Sequence, residues 1–113
     1  MAYNTTAKKF FETLPKTALT ADSPLRKVGG VVEFEIQGKD GGNWWVDLTK
    51  GAVSTTAQKP DLLVRAAARD FMALVEGRMS ISDGILTERV TVAGESARLM
   101  SLMNVLEGMR ARA

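Results

Sequence analysis

The side chains available for chemistry in this sequence are carboxylates, hydroxyls and basic groups, because the chain contains no histidine and no cysteine. It therefore has no imidazole base, no thiolate nucleophile and none of the usual zinc ligands. The 13 acidic residues form no Asp-x-Asp motif, and no suitable base stands beside a serine, a threonine or Tyr3. We therefore expect no enzyme activity, no cofactor and no metal ion.

A second set of chemically distinctive residues lies in 97–109, ARLMSLMNVLEGM, where seven of the thirteen side chains are Leu, Met or Val. On a helical wheel these side chains cover an arc of roughly 220°, whereas a surface helix usually buries a stripe of a little over ~100°. Three interpretations compete. The helix is wedged between a sheet and another helix, it presents a stripe to a partner chain, or it lines a lipid-sized cavity. Methionine suits surfaces that adapt to variable apolar shapes.

Overall composition limits the class of protein. A chain of 113 residues with 45% hydrophobic and 25% charged residues is typical of one globular domain, which we place at 1–113. The net charge is +2 and the basic residues are dispersed, so nucleic-acid binding is not indicated. No run reaches the ~18 apolar residues of a membrane span, and the start lacks the apolar stretch of a signal peptide. The expected location is the cytoplasm.

Periodicity predicts the elements that must position any site. A helix is predicted over 5–14, with Thr5 or Thr6 as N-cap and Pro15 closing it. Alternation of apolar and polar residues predicts four strands, over 32–36, 44–48, 53–57 and 62–66, joined by short turns. Helical spacing of apolar residues returns before Gly77. A short helix or turn over 81–88, a last strand over 89–94 and the Met-rich helix from Glu95 follow. Four consecutive strands predict an antiparallel meander in an α+β fold whose sheet is covered on one face.

Four stretches in order resemble the sterol carrier protein 2 domain family: KVGGVVEFEI, NWWVDLTKG, PDLLVRAAARDFMALVEGRM and ILTERVTVAGESARLMSLM. They are similar to the family's first strand, its Trp-x-Val-Asp-Leu strand, its Asp-Phe helix, and its last strand with the final helix. The resemblance covers about residues 5–107 and is carried by the order of the stretches. By this resemblance the chain is identified as a standalone, prokaryotic-type member.

The resemblance implies a non-catalytic carrier of an apolar ligand such as a sterol, a fatty acid or a fatty acyl-CoA. It implies a mainly antiparallel five-stranded sheet with helices on one face and an apolar tunnel between. Carried over by position, the tunnel lining comprises Phe34, Trp44, Phe71, Leu74, Val75, Ile85, Leu86, Leu99, Met100 and Met103. Leu102 and Leu106 are expected to pack on the sheet instead. Ala68 stands where the family often has an acidic helix cap, which costs about 1 kcal/mol.

Two further features bear on partners. Trp45 lies on the strand face opposite Trp44, where it is either covered by the first helix or connector, or exposed as a self-association patch. Arg65, Arg69, Arg78 and Arg89 are either scattered surface residues or a ring at the tunnel mouth that meets an anionic group or a membrane. The alternative function is an interaction or dimerisation adaptor for a lipid or quinone pathway enzyme. We expect a monomer or a weak homodimer.

Overall fold

The computed structural model describes residues 6–17, 19–39 and 41–112, with the side chains of Thr17 and of 106–112 excepted. The helices and strands in chain order are α1 (Ala7–Thr17), α2 (Pro24–Val28), β1 (Val31–Gln37), β2 (Gly42–Asp47), β3 (Ala52–Ser54), β4 (Leu62–Ala67), α3 (Ala68–Val75), α4 (Ile81–Leu86), β5 (Val90–Gly94) and α5 (Ser96–Arg112). The α+β class is confirmed. Helices α1 and α3 pack together, α3 on β1 and β4, and α4 on β5.

The strands form one five-stranded sheet in the order β3-β2-β1-β4-β5. The β1–β2, β2–β3 and β4–β5 pairs are antiparallel, whereas β1 and β4 are parallel, with Val32 opposite Leu62. The predicted four-strand meander is therefore wrong, because only β1, β2 and β3 follow one another across the sheet. Strand β3 is three residues long, and the next strand pairs with the free edge of β1 instead.

The chain between β3 and β4 has to cross β2 and β1, since both of these strands separate its two ends. Such a connection between parallel strands is right-handed. Asp61 donates its backbone N–H to the Val31 carbonyl at 2.8 Å, which places β4 on that side of β1. Residues 55–61 therefore form this crossing.

Trp45 of β2 is buried although it lies on the strand face opposite Trp44. This residue lies opposite Ser54 at the end of β3, and its side chain is 9% exposed. Helix α1 packs against Trp44 on the other face, and the burial of Trp45 agrees with the expectation that another segment of the chain covers it. The expectation of an exposed self-association patch at Trp45 is wrong, since the indole is buried.

Helix α1 begins where the sequence predicts but ends later. The Thr6 hydroxyl accepts a hydrogen bond from the Lys9 N–H at 3.2 Å and caps the helix. Pro15 does not close the helix, which continues to Thr17. A proline in the last turn lacks only its own N–H, and the burial of Leu14 on the core offsets the loss of one hydrogen bond. The segment between α1 and β1 contains the short helix α2.

A polar cluster fixes the start of α5 beside the sheet. The Asp61 carboxylate accepts a hydrogen bond from the Val31 N–H at 2.9 Å, and the Arg98 guanidinium donates to the Val28 carbonyl at 2.8 Å. The Glu95 N–H donates to the Asp61 carbonyl at 3.2 Å. Gly94 lies against Asp61 with φ 125°, a conformation and a closeness that favour glycine.

We predict that Gly94→Ala is markedly less stable than Gly38→Ala. Both glycines have positive φ, 125° and 94°, so both alanines carry backbone strain of about 1–2 kcal/mol. A Cβ at Gly94 would also overlap the Asp61 carbonyl oxygen, whereas a Cβ at Gly38 meets nothing within 4 Å. Urea unfolding should show an additional loss of about 2 kcal/mol for Gly94→Ala. Equal losses for the two variants would contradict the close approach.

Candidate functional site

The centre of the candidate site is a group of aromatic rings between the sheet and helices α1 and α3. Phe34 on β1 and Trp44 on β2 point toward the helices, and Phe71 on α3 faces them at 5.8 Å from the Phe34 ring centroid. Trp44 and Phe71 are 7% and 4% exposed. Three residues predicted to form the floor and wall are thus brought together.

Phe11 of α1 stands among these three rings. Its centroid lies 4.7 Å from Trp44, 5.1 Å from Phe34 and 5.2 Å from Phe71. Phe10 completes the group edge-on, at 5.2 Å from Phe11 and 5.5 Å from Phe71. Neither Phe10 nor Phe11 belongs to the lining that the family resemblance implies. The sequence feature that could have indicated their place in the site is the adjacent aromatic pair in the short first helix.

Aliphatic side chains surround the aromatic group. Leu74 of α3, Ile85 of α4 and Leu99 of α5 are partly buried and pack against the core. Helix α4 approaches β5 closely because it presents Gly84 to Val90. These three members of the predicted lining therefore share one apolar region with the rings.

Other members of the predicted lining point outward. Leu86 is 80% exposed, Met100 60% and Val75 36%. Leu86 and Met100 therefore do not lie inside the apolar region in this structure, because both side chains are mainly in solvent. Val75 ends α3 and lies at the boundary of the apolar region.

The rotation of α5 explains where its methionines lie. Leu102 is 5% exposed in the core, and Leu99 and Val105 pack against it. At 100° per residue these three define the buried side of the helix, with Met103 at its margin and half-buried. Leu102, expected to pack on the sheet, lies in the hydrophobic core, while the side chain of Leu106 lies outside the described residues. The wedge interpretation thus accounts for one side of α5 only.

Two of the four arginines that the sequence singles out form ion pairs. Arg65 pairs with Glu35 at 2.7 Å, and Arg78 with Glu76 at 2.6 Å. The Arg65 hydrogen bond and charge hold the pKa of Glu35 below its usual value of 4.5. Because this pKa is lower in the folded state, the ionised carboxyl stabilises the fold at a pH above its unfolded-state pKa. This stabilisation is lost as the pH falls through the folded-state pKa. The pair is on the sheet face away from α1, so Arg65 does not ring the apolar region.

The part of the chain that the structure describes offers no group of three or more acidic side chains able to hold a metal ion. Helix α3 begins at Ala68, and its N-cap is Ala67, one residue before the cap position expected from the sequence; Ala67 makes no side-chain cap hydrogen bond. None of the helices within 6–17, 19–39 and 41–112 is long and apolar enough to cross a membrane. The aromatic and aliphatic side chains between the sheet and the helices pack against one another.

Comparison of the sequence with known proteins gives one consistent result. The sequence profile of the SCP-2 sterol transfer family matches residues 9–107. Hydroxysteroid dehydrogenase-like protein 2 of Rattus norvegicus is 25% identical over 96 residues, which cover 81% of this chain and 18% of that protein. The chain thus spans less than a fifth of the length of this relative.

Solved structures show the same fold. The crystal structure of sterol carrier protein 2 like 2 from Aedes aegypti matches with a TM-score of 0.74 and 24% identity, covering 87% of this chain and 94% of that one. The solution structure of Aedes aegypti sterol carrier protein 2 in complex with palmitate, a C16 fatty acid, matches with a TM-score of 0.62 and 16% identity. It covers 85% of this chain and 89% of that one.

We predict that Phe71→Ala and Leu86→Ala separate the buried and exposed parts of the predicted lining. Phe71→Ala removes a ring from the aromatic group and should lower the free energy of unfolding by about 3–5 kcal/mol. Leu86→Ala removes a side chain that is 80% exposed and should change it by less than about 0.5 kcal/mol. Chemical denaturation measures both, and a large loss for Leu86→Ala would place that side chain in the core.

Proposed function

We propose that this chain, which belongs to the SCP-2 sterol transfer family, is a non-catalytic carrier that holds an apolar lipid between its sheet and its helices. The observation that supports this most directly is the region around Phe34, Trp44 and Phe71, where the facing surfaces of the sheet and α3 are apolar. We place the whole binding unit in one domain, residues 1–113.

A long-chain fatty acid is the ligand class that we favour. One structural neighbour is described in complex with palmitate, and a saturated chain needs hydrophobic burial rather than a catalytic group. Burying about a dozen methylenes contributes roughly 10 kcal/mol before the cost of association is subtracted. Sterols and fatty acyl-CoA remain alternatives within the same proposal.

The proposed lining consists of the residues that share the apolar region, together with the helix margin that borders it. Phe34 and Trp44 form the floor, while Phe71 and Leu74 form the wall. Ile85, Leu99 and Met103 bound the region on the other helices. Val75, Leu86 and Met100 lie at its outer rim, where a transient contact with a membrane surface or a lipid-pathway enzyme would be made.

The reaction of the dehydrogenase-like relative is not part of the proposal. The chain matches 18% of that protein, and the sequence lacks histidine and cysteine. The adaptor alternative loses its supporting observation, because Trp45 is 9% exposed. A carrier that works by noncovalent burial is consistent with all of these features.

We predict that Met103→Trp weakens palmitate binding by at least tenfold relative to Asn104→Trp. The larger side chain at Met103 would extend from the half-buried margin of α5 into the apolar region. Asn104 is the next residue on the same helix and is exposed, so the same substitution there should leave the Kd unchanged. Calorimetric titration of delipidated protein with palmitate measures both variants and the unsubstituted chain.

Equal affinity in the two variants would show that the α5 margin does not border the ligand. No binding of palmitate, a sterol or an acyl-CoA by the unsubstituted chain would contradict the carrier function itself. Sedimentation of the same samples would then reveal whether the chain forms a dimer, as the adaptor alternative requires.

A further inference from the structure

We infer that the phenyl ring of Phe11 occupies the place of the ligand, and that a lipid binds between the sheet and α3 only when this ring moves out. The inference rests on the proposed function, because it concerns the same apolar region. It assigns to Phe11 a role in setting ligand affinity that its position in the core alone would not indicate.

The Phe11 ring is packed between the rings of Trp44 and Phe71. Phe11 lies nearly parallel to Trp44, at 4.7 Å and 19°, and nearly parallel to Phe71, at 5.2 Å and 18°. Phe11 therefore touches the floor through Trp44 and the wall through Phe71 at the same time. With a side chain 1% exposed, it fills the space that an acyl chain between floor and wall would use, and both groups cannot be there together.

The attachment of α1 allows this ring to move. The helix contributes no strand to the sheet and is held on it by the buried side chains of Ala7, Phe11 and Leu14. Pro15 has no N–H to donate to the Phe11 carbonyl four residues earlier, which weakens the helix at the turn that follows Phe11. Displacement of the ring therefore leaves the strand hydrogen bonds of the sheet intact.

The replaced contacts also restrict the chemistry of the ligand. The Phe11 ring covers the flat faces of Trp44 and Phe71, and aromatic faces packed in this way accept a layer about one ring thick. A straight methylene chain or a planar ring fits such a space, whereas a bulky branched group does not. Phe11 thus favours ligands that are thin where they cross the aromatic group.

The consequence for affinity follows from a simple equilibrium. When only a fraction of the molecules has the competent conformation, the observed Kd equals the intrinsic Kd divided by that fraction. A side chain that competes for the site lowers that fraction. Shortening Phe11 should therefore strengthen binding, although the same change destabilises the ligand-free protein because it leaves a cavity.

The test compares palmitate binding by Phe11→Ala and Leu25→Ala in the full chain. Leu25 is a core residue of α2, 6% exposed, and its truncation also leaves a cavity. We expect the Kd of Phe11→Ala to fall at least tenfold and that of Leu25→Ala not to fall. Phe11→Leu keeps most of the side-chain volume and should give a smaller decrease in the Kd. This variant replaces Phe11→Ala in the test if Phe11→Ala does not fold.

Each result has a distinct meaning. Unchanged or weaker binding by both Phe11 variants, with normal binding by the unsubstituted chain, overturns the inference and leaves the carrier function in place. A decrease in the Kd of Leu25→Ala equal to that of Phe11→Ala also overturns it, since any cavity would then suffice. Both proposals are overturned if neither the unsubstituted chain nor any variant binds palmitate, a sterol or an acyl-CoA.

The unsubstituted chain provides an independent measurement. Nuclear Overhauser effects between the ring protons of Phe11 and Trp44, whose centroids are 4.7 Å apart, should be present without ligand and lost at saturating palmitate. Effects between Val46 and Val53, which are paired in the sheet, should persist. Retention of the Phe11–Trp44 effects in the bound protein would overturn the inference.

Discussion

The packing of one phenyl ring against both layers of the fold is the contact on which the rest of the structure depends. Phe11 joins α1 to the sheet through Trp44 and to α3 through Phe71. Because the helices cover one face of the sheet, the hydrophobic core lies between them, and the largest apolar surfaces meet at this ring. Any ligand buried between the layers has to be accommodated by the same contacts that stabilise the fold.

The sequence predicts local structure well and pairing less well, for a physical reason. Strand faces follow from a two-residue period, so the inward direction of Phe34 and Trp44 is readable from alternation alone. The strand that pairs with β4 cannot be read from this alternation, because the pairing depends on the path of the chain after Ser54. The continuation of α1 through Pro15 likewise depends on the burial of Leu14, a tertiary effect that local propensity does not contain.

The candidate site shows the same division. A helical wheel gives the angles between side chains but not the rotation of the helix on its neighbours, so it could not distinguish Leu102 inside from Met100 outside. The family resemblance supplied positions for the lining. Of these, Phe71 is buried in the aromatic group, whereas Leu86 is mainly exposed. Phe11 was missed because an aromatic residue that docks a helix and one that competes for a site have the same sequence pattern.

The central claim is that this chain carries an apolar molecule without reacting with it. Native mass spectrometry of protein purified from its own cells, followed by extraction and identification of any bound mass, tests this most directly. We expect a discrete adduct of lipid mass that dissociates intact and is replaced by added palmitate. A protein that carries no such adduct and gains none on incubation with palmitate, a sterol or an acyl-CoA would contradict it.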